Sequence, residues 1–426
     1  MNLKKFIDKE GKCIIPEGVT EIEADAFLDC TELTSIEIPN SLESIGFSAF
    51  DNCTALTSII ISENNDHYKS ANNCCLSKDG TILIFGCKES IIPEGVTKIE
   101  NSAFFGCTGL TSVVIPEGVK EIGVYAFRDC SELTSIEIPA SVTKIGISAF
   151  QGCASLSSII ISENNAHYKS INNCCLSKDG TKLVYGCNKS TIPDGVREIG
   201  DSALHSCTGL TSIVIPDSVN KIEMRAFWGC TGLTSIDIPD NVTEIGDCAF
   251  WGCTGLTSIV IPEGVTKIKD FTFLECIRLT SIVIPDSVTE IGDCAFAGCN
   301  ELTSVKISDN VTKIGESAFE TSLSSIIISE NNAHYKSVNN CCLSKDGTKL
   351  VFGCKKSIIP DGVTEIAGYA FTGCSELTSV EIPDSVTEIG ERAFFGCTGL
   401  TSVEIPLNCN LSQEAFDLMT EVTRRK

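Results

Sequence analysis

A short stretch from His167 to Cys187, HYKSINNCCLSKDGTKLVYGC, carries the residue types of a zinc site or a redox centre. It holds one histidine, three cysteines and one aspartate within 21 residues. Thiolates and imidazoles are the usual ligands of structural zinc, and a thiolate in a polar setting is a nucleophile. Whether this stretch performs either chemistry depends on the elements that position its cysteines.

The spacing of these side chains does not favour a metal centre. Cys174 and Cys175 are adjacent, and adjacent side chains on a strand point to opposite faces of the sheet. The stretch also lacks the CxxC spacing that is typical of structural zinc sites. We therefore expect packing rather than metal binding, and we expect no cofactor.

The tetrapeptide KDGT, which lies between two apolar runs, predicts a β-hairpin with a two-residue Asp-Gly loop at 179–180. Such a loop places Leu176 opposite Leu183. It also places Cys174 opposite Tyr185. Near-copies of the segment that contains this hairpin begin at Ser62 and at Ser329. One hairpin face is then apolar in all three copies.

The three copies belong to a repeat that fills nearly the whole chain. The isoleucine of an Ile-Pro or Ile-Ser pair recurs at a spacing of 23 residues twelve times, 31 residues three times and 21 residues once, which defines 16 units. The markers are Ile15, Ile38, Ile61, Ile92, Ile115, Ile138, Ile161, Ile192, Ile215, Ile238, Ile261, Ile284, Ile307, Ile328, Ile359, Ile382 and Ile405.

Apolar residues in each unit follow neither a helical nor a strand period over its full length. This pattern predicts one coil of a solenoid, in which stacking on neighbouring coils buries what one coil cannot bury alone. The segment LTSIxIP is expected to form a parallel strand, VTxI a second short extended stretch, and AFxGC a tight turn. Proline ends the strand because it has no N–H to donate.

The repeat boundaries divide the chain into three parts. Residues 1–14 are expected to form an N-terminal cap, and residues 15–405 a mainly β solenoid with short turns on the side opposite its strands. Residues 406–426 are expected to form a helical C-terminal cap, with Ser412 at its N-terminus. The three long units, each with an inserted β-hairpin, span residues 61–91, 161–191 and 328–358.

Twelve of the 25 cysteines recur at one position of the unit, three residues after the Phe of AFxGC. Burial as a column of small apolar side chains is the favoured interpretation, because reactive thiols need polar, partly exposed settings. A packing column also tolerates the unit from Ile307, which lacks the Gly-Cys pair between Phe319 and Leu323. The sequence leaves oxidation open, because cysteines on neighbouring coils are close enough for disulfide formation.

Composition excludes several classes of function. The net charge of −24 disfavours binding to nucleic acids and to anionic membranes, and no apolar run is long enough for a membrane-spanning helix. No nucleophile elbow, zinc-protease motif or phosphate-binding glycine loop occurs. We therefore expect a protein that is not an enzyme. Without a signal peptide or anchor, the chain as written is expected in the cytoplasm.

The consensus sequence of the repeat, IPxxVTxIGxxAFxGCTxLTSIxIP, resembles the BspA-like leucine-rich repeats over about residues 12–410. The resemblance implies a curved leucine-rich-repeat horseshoe with a strand-lined face. It also implies a non-enzymatic surface or secreted protein that attaches cells to host proteins or to other cells, which conflicts with the cytoplasmic expectation. The partner implied is a host extracellular or cell-surface protein.

Strict alternation turns the x of LTSIxIP outward on every strand, and nine of the sixteen x residues are Ile or Val. A row of exposed β-branched residues indicates a protein-binding strip, although the same residues also simply favour strands. Trp228 and Trp251, on neighbouring units, are candidates for an aromatic contact pair or for partial burial. The candidate strip comprises Glu137, Ile160, Thr191, Val214, Asp237, Val260, Val283 and Lys306.

Three hypotheses follow from these patterns. The preferred one is a recognition or adhesion solenoid that binds a protein through its strand face. The second is a cytoplasmic structural or scaffold repeat protein. The third, which the ligand spacing disfavours, is a thiol- or metal-binding protein that uses the long units.

Overall fold

The computed structural model describes residues 2–320 and 323–425 of the 426-residue chain. Met1, Thr321, Ser322 and Lys426 lie outside the described residues; they belong to the predicted N-terminal cap, the shortened unit and the predicted C-terminal cap. The predicted mainly β, parallel leucine-rich-repeat solenoid is confirmed. The coils form two compact units, Met1–Val196 with Gly200–Leu210 and Arg197–Ile199 with Thr211–Lys426.

In the first compact unit, the LTSIxI segments form parallel strands on one side, here called the strand face. The strands of this face are Lys12–Ile14, Ser35–Ile38, Ser58–Ile61, Val113–Val114, Ser135–Ile138 and Ser158–Ile161. The VTxI segments form a second ladder, Glu21–Ile22, Ser44–Ile45, Lys98–Ile99, Glu121–Ile122 and Lys144–Ile145. The long repeats contribute Tyr68–Ala71, Cys74–Ser77, Ile82–Phe85, Tyr168–Ile171, Cys174–Ser177 and Lys182–Tyr185.

The second compact unit is built in the same way. Its strand face comprises Ser235–Ile236, Ser258–Val260, Ser281–Val283, Ser304–Ile307, Ser325–Ile328, Ser402–Ile405 and Glu421–Arg424. Its second-ladder strands are Glu198–Ile199, Lys221–Ile222, Glu244–Ile245, Lys267–Ile268, Glu290–Ile291, Lys313–Ile314, Glu365–Ile366, Glu388–Ile389 and Asn410–Leu411. The third long repeat contributes Tyr335–Val338, Cys341–Ser344 and Lys349–Phe352.

Phenylalanines of the AFxGC turns form the centre of each core. Consecutive rings, such as those of Phe104 and Phe127, stack nearly parallel with centroids 5.1 Å apart. In the other compact unit, Phe250 and Phe273 repeat this arrangement at 5.5 Å. Offset stacking of aromatic rings adds to the free energy gained by burying them, so each coil stabilises its neighbours.

Two backbone positions adopt positive φ in most of these turns, and glycine often occupies the second. Gly252 has φ 68° and Gly298 has φ 71°, a region that only glycine enters without cost. The residue before the Ala-Phe pair is also left-handed, for example Cys248 at 57°. These two positions reverse the chain within each coil.

Opposite charges alternate along parts of the second ladder. Glu121 lies between Lys98 and Lys144, and its carboxylate is 2.7 Å from the Lys144 ammonium group. This contact lowers the pKa of Glu121. Such exposed pairs contribute at most about 1 kcal/mol each, so they favour the correct register more than they stabilise the fold.

The N-terminal residues already form part of the solenoid. A short 3-10 helix spans Leu3–Phe6. Asn2 is its N-cap, and the Asn2 side chain accepts a hydrogen bond from the Lys4 amide. The strand Lys12–Ile14 then pairs in parallel with Ser35–Ile38. The strand ladder therefore begins inside the region predicted as a cap.

The predicted helix at residues 406–426 is wrong. Its described residues form one more coil, in which Asn410–Leu411 pairs with Glu388–Ile389. Phe416 stacks on Phe394 at 4.9 Å, as the Phe of any AFxGC turn would. An isolated helix of this length is marginal in water, whereas a coil gains the hydrogen bonds and ring stacking offered by its neighbour.

Candidate functional site

The outward positions of the strand face carry exposed apolar side chains, as the alternation predicts. The nine Ile and Val side chains are between 47% and 77% exposed. They are Ile60, Ile91, Val114 and Ile160 in the first compact unit, and Val214, Val260, Val283, Ile327 and Ile358 in the second. The inward residues of the same strands, such as Ile136 and Ile259, are buried.

In the first compact unit, strand register brings three outward residues side by side. Val114 pairs with Glu137, and Glu137 pairs with Ile160. Thr191 is exposed but lies outside a regular strand, and its amide donates to the Asn172 carbonyl, which belongs to a long repeat. This unit therefore carries Glu137, Ile160 and Thr191 of the candidate strip.

The other five strip residues lie in the second compact unit. Val214 forms an isolated bridge with Asp237. Val260 pairs with Val283, which gives two exposed apolar side chains on adjacent strands. Lys306 also faces outward and pairs with Ile327. Stacked parallel strands are about 4.8 Å apart, so paired residues form a continuous surface.

One further residue shares this geometry. Ile14 is exposed and pairs with Glu37 in the register that aligns Glu37 with Ile60. The sequence signal was present, because Ile14 precedes the Ile15-Pro16 pair as every outward residue does. It was missed because residues 1–14 were assigned to a cap.

Each long repeat forms a three-stranded antiparallel meander rather than a simple hairpin. The second and third strands in the copy of the opening stretch pair Leu176 with Leu183, as predicted. The predicted pairing of Cys174 with Tyr185 is wrong, because a register shift next to Leu176 places Cys175 opposite Tyr185.

The connection between these strands is also longer than a two-residue loop. It spans the four residues between Ser177 and Lys182, with Gly180 at φ 82°. The Asp179 carboxylate accepts hydrogen bonds from the Ser177 hydroxyl and the Thr181 amide, which lower the pKa of Asp179 to about 2. These bonds make the turn rigid and explain why Ser and Thr flank the Asp-Gly pair.

The Tyr-x-Ser motif of the long repeat terminates both ladders of the preceding coils. The Tyr168 hydroxyl accepts a hydrogen bond from the Ile145 amide, at the end of the second ladder, at 3.2 Å. The Ser170 hydroxyl accepts one from the Ile161 amide, on the strand face, at 3.1 Å. Side chains thus replace the backbone acceptors of a next regular coil, and the long repeat acts as an internal cap.

A fully buried asparagine completes this cap. The Asn165 amide group donates to the carbonyls of Pro139 and Val142, both at 2.9 Å. Its carbonyl oxygen accepts from the amides of His167 and Tyr168, both at 2.8 Å. Asn65 and Asn332 occupy the equivalent positions in the other two copies. Every polar atom of the buried amide is therefore satisfied.

The cysteines of the opening stretch pack inside this meander. Cys174, Cys175 and Cys187 are buried, whereas His167 is exposed. The Cys174 thiol contacts the Thr191 carbonyl at 3.5 Å, and the Cys187 thiol contacts the Asn173 carbonyl at 3.7 Å. Burial raises the pKa of Cys174 to about 11, so the thiol stays protonated. The packing interpretation is confirmed for these three side chains.

The twelve recurring cysteines are buried, as predicted, and several of them also make a hydrogen bond that the sequence did not reveal. The Cys153 thiol donates to the Phe127 carbonyl of the preceding coil at 3.2 Å. Cys276 does the same to Phe250, also at 3.2 Å. Burial raises the pKa of Cys153 to about 12. All 25 cysteines are present as free thiols.

The two tryptophans form a stacked pair on the turn side of the second compact unit. The rings of Trp228 and Trp251 are 4.3 Å apart and nearly parallel, and both side chains are half-buried. The Arg225 guanidinium group lies over Trp228, and the Trp251 indole donates to the Glu275 carboxylate. Partial burial is therefore present, and a role of this pair in contacting a partner stays a prediction.

Among residues 2–320 and 323–425, no group of three or more His, Cys, Asp or Glu side chains is arranged to hold a metal ion. Within the same ranges, no helix has the length and apolar character needed to cross a membrane.

Comparison with known families and structures extends these observations. A family model described as a BspA-type leucine-rich repeat region matches residues 9–80, 85–185, 181–281, 244–352 and 349–425. A search of curated proteins finds no match.

Solved structures of two bacterial proteins are similar to this chain. A leucine-rich cell surface protein from Faecalibacterium prausnitzii is 31% identical, with a TM-score of 0.50, covering 76% of this chain and 88% of its own. A leucine-rich repeat protein from Eubacterium ventriosum is 22% identical, with a TM-score of 0.50, covering 91% of this chain and 82% of its own. The second likeness concerns the fold alone.

Proposed function

The chain belongs to the BspA-type leucine-rich repeat family, and we propose that it is a non-enzymatic recognition protein that binds a partner protein through its strand face. The observation that carries this proposal is the row of exposed Ile and Val side chains at the outward positions. Regularly spaced apolar side chains on exposed strands favour aggregation unless a partner covers them.

The second compact unit carries the most favourable part of this surface. Val260 and Val283 form an exposed apolar pair on adjacent strands. Opposite charges flank this pair, because Asp237 directly follows the strand Ser235–Ile236 and Lys306 lies on the strand Ser304–Ile307. An apolar centre with a charged rim is the arrangement of a specific protein interface. The partner surface would therefore be apolar at its centre and carry complementary charges at its edge.

We further propose that the partner is a host extracellular or cell-surface protein. The similar Faecalibacterium prausnitzii protein is described as a cell surface protein. An affinity capture with the full chain, carried out in parallel on host extracellular proteins and on a lysate of the source cell, distinguishes adhesion from a scaffold role. Specific capture only from the lysate would contradict the adhesion proposal.

Substitution of the strip tests the binding surface. The triple variant Val214→Asp, Val260→Asp and Val283→Asp adds three charges to the strand face without changing a buried residue. We expect it to weaken partner binding about 100-fold, since a few central side chains dominate most interfaces.

The matched control is Thr243→Asp, Thr266→Asp and Thr312→Asp, which adds the same charge at exposed positions beside the second ladder. This control should bind like the unmodified chain. If the triple Val variant retained both the thermal unfolding midpoint and full partner affinity, the strand face would not be the binding surface.

A further inference from the structure

A cavity of about 250 Å³ lies between the first long repeat and the turns of the coils on either side of it. Corresponding residues of the second and third long repeats line cavities of only about 10 Å³ and about 20 Å³. A cavity of about 150 Å³ is large enough for a benzene molecule. The first of these three cavities therefore has room for a small organic ligand, and the other two do not.

Aromatic side chains form one part of the wall of this cavity. They include Phe47, Tyr68, Phe85 and Phe105. Phe47 is 64% exposed, so its ring is accessible to a ligand. The negative face of an aromatic ring attracts a cation, and the Arg128 guanidinium group already lies 4.9 Å from the centre of the Phe105 ring. This part of the wall therefore accepts an organic cation as well as an apolar group.

Two carboxyl groups, those of Asp51 and Glu100, belong to the polar part of the wall. The Lys98 ammonium group lies 2.6 Å from the Glu100 carboxylate and balances its charge. The Arg128 guanidinium group attracts Asp51, but it pairs with Asp129 at 3.3 Å. Within the part of the chain that the structure describes, Asp51 is therefore left without an ion-pair partner.

Asp51 is also deeply buried, with 8% of its surface exposed. Burial raises the pKa of Asp51, and the charge of Asp25 adds to this effect. The neighbouring hydroxyl groups of Ser48 and Ser102 oppose the rise only in part. An aspartate this deeply buried normally has a cationic partner. A cation bound in the cavity would supply that partner, whereas a phosphate or a carboxylate would be repelled.

We propose that the cavity beside the first long repeat binds an alkylammonium group, whose charge pairs with Asp51 and whose hydrocarbon part packs on the aromatic wall. The ammonium group belongs either to a free amine or to a lysine side chain of a bound protein. The site is separate from the strand-face strip and does not depend on it.

Titration calorimetry of the full chain with butylammonium and with 1-butanol tests the proposal directly. We expect one butylammonium site per chain, with 1-butanol binding about tenfold more weakly because it carries no charge. A capped Gly-Lys-Gly peptide separates the two sources, since it binds only if the cavity admits a lysine attached to a backbone. Binding of the peptide assigns the site to a partner lysine, and its exclusion assigns the site to a free amine.

Substitution of the buried carboxyl group has a matched control within the same chain. Asp51→Asn removes the charge and keeps the shape of the side chain, so it should weaken butylammonium binding about tenfold. Glu320 is the corresponding residue beside the third long repeat, where the cavity of about 20 Å³ is too small for the ligand. Glu320→Gln removes the same charge and should leave butylammonium binding unchanged.

A second variant fills the cavity instead of changing its charge. Tyr369 lines the third cavity at the position of Ser102, and the two residues have nearly the same φ, 60° and 57°. Ser102→Tyr should therefore fold and should weaken butylammonium binding at least about tenfold, because a bulky side chain replaces a small one in the wall.

Equal affinity for butylammonium and 1-butanol, or full butylammonium affinity in folded Asp51→Asn, would overturn the proposal. Folding of each variant is checked by its thermal unfolding midpoint. If Asp51→Asn fails to fold, the comparison with 1-butanol and the Ser102→Tyr variant still decide, because the first tests the charge and the second tests the location.

Discussion

At the scale of single residues, the turns of this protein depend on glycines with positive φ whose surroundings differ. A Cβ atom added to Gly252 would have no heavy atom closer than 3.8 Å, whereas one added to Gly106 would lie 2.7 Å from the Asn52 Cα atom. Both glycines have nearly the same φ, 68° and 71°. The two positions therefore separate the cost of backbone conformation from the cost of steric overlap.

We predict that Gly252→Ala lowers the free energy of unfolding by about 1 kcal/mol, the cost of a left-handed alanine. Gly106→Ala should cost about 1–3 kcal/mol more, because Asn52 must move. Urea unfolding of both variants measures the difference. Equal losses would show that steric contact at Gly106 is relieved without cost.

Buried thiols make the stability of the protein sensitive to alkaline pH. Burial raises the pKa of Cys53 and Cys153 from an ordinary value of 9.0 to about 12. The folded state therefore keeps these protons at a pH where the unfolded chain releases them. The stabilisation is complete below about pH 9 and is lost as the pH rises toward about 12.

We predict that the urea midpoint is constant from pH 7 to pH 8 and falls between pH 9 and pH 11. In Cys153→Ala, one fewer proton is linked to unfolding, so the slope of stability against pH over this interval should be smaller. Parallel slopes for the variant and the unmodified chain would contradict the role assigned to the buried thiol.

At this scale, the sequence predicted which side of each strand is buried, but not the hydrogen bonds of the thiols. Alternation correctly turned Val260 outward and Ile259 inward. The contact from Cys153 to the Phe127 carbonyl joins residues 26 positions apart, so it depends on how one coil is seated on the next. Residue types and spacing within one coil do not contain that information.

At the scale of elements, the long repeats act as internal caps that end the two ladders before them. Tyr168 and Ser170 supply hydroxyl oxygens where the next coil would supply backbone carbonyls. In the first long repeat, the Ser70 hydroxyl accepts the equivalent hydrogen bond from the Ile61 amide. Through these hydrogen bonds the meander holds the ends of both preceding ladders.

We predict that Tyr168→Phe accelerates hydrogen exchange at the Ile145 amide, and that Ser170→Ala does so at the Ile161 amide. Loss of one hydrogen bond should raise each local exchange rate about fivefold to tenfold. Lys169→Ala, between the two positions, is the control and should change neither rate. Unchanged exchange at Ile145 in Tyr168→Phe would show that the hydroxyl is not its protecting acceptor.

The ends and pairing of strands could be predicted where packing against the rest of the solenoid favours the same structure as the local sequence. The Leu176 to Leu183 pairing followed from the turn, but the register shift beside Leu176 did not, because the strand also packs against the solenoid core. The C-terminal residues have a helical pattern in isolation, yet Phe416 is held by stacking on Phe394. In both places, packing on the preceding coil outweighed local preference.

At the scale of the whole molecule, the repeat period was sufficient to predict the fold, and the family match agrees with it. The secondary structure of a single unit is ambiguous from its sequence. Because every coil packs on the next through the same residue positions, the many copies together predict the fold. The candidate strip could be located from alternation alone, since it needs only the inward or outward direction of each side chain. The partner could not be identified in this way, because the sequence of this chain does not contain the surface of another protein.

The strand-face binding proposal is tested most directly by site-specific photo-crosslinking to the captured partner protein. A benzophenone side chain is placed at Val260 on the strand face and, in a separate chain, at Thr266 beside the second ladder, since both positions are exposed. Binding through the strand face predicts a covalent adduct with the partner from position 260 and none from position 266. An adduct from position 266 without one from position 260 would contradict it.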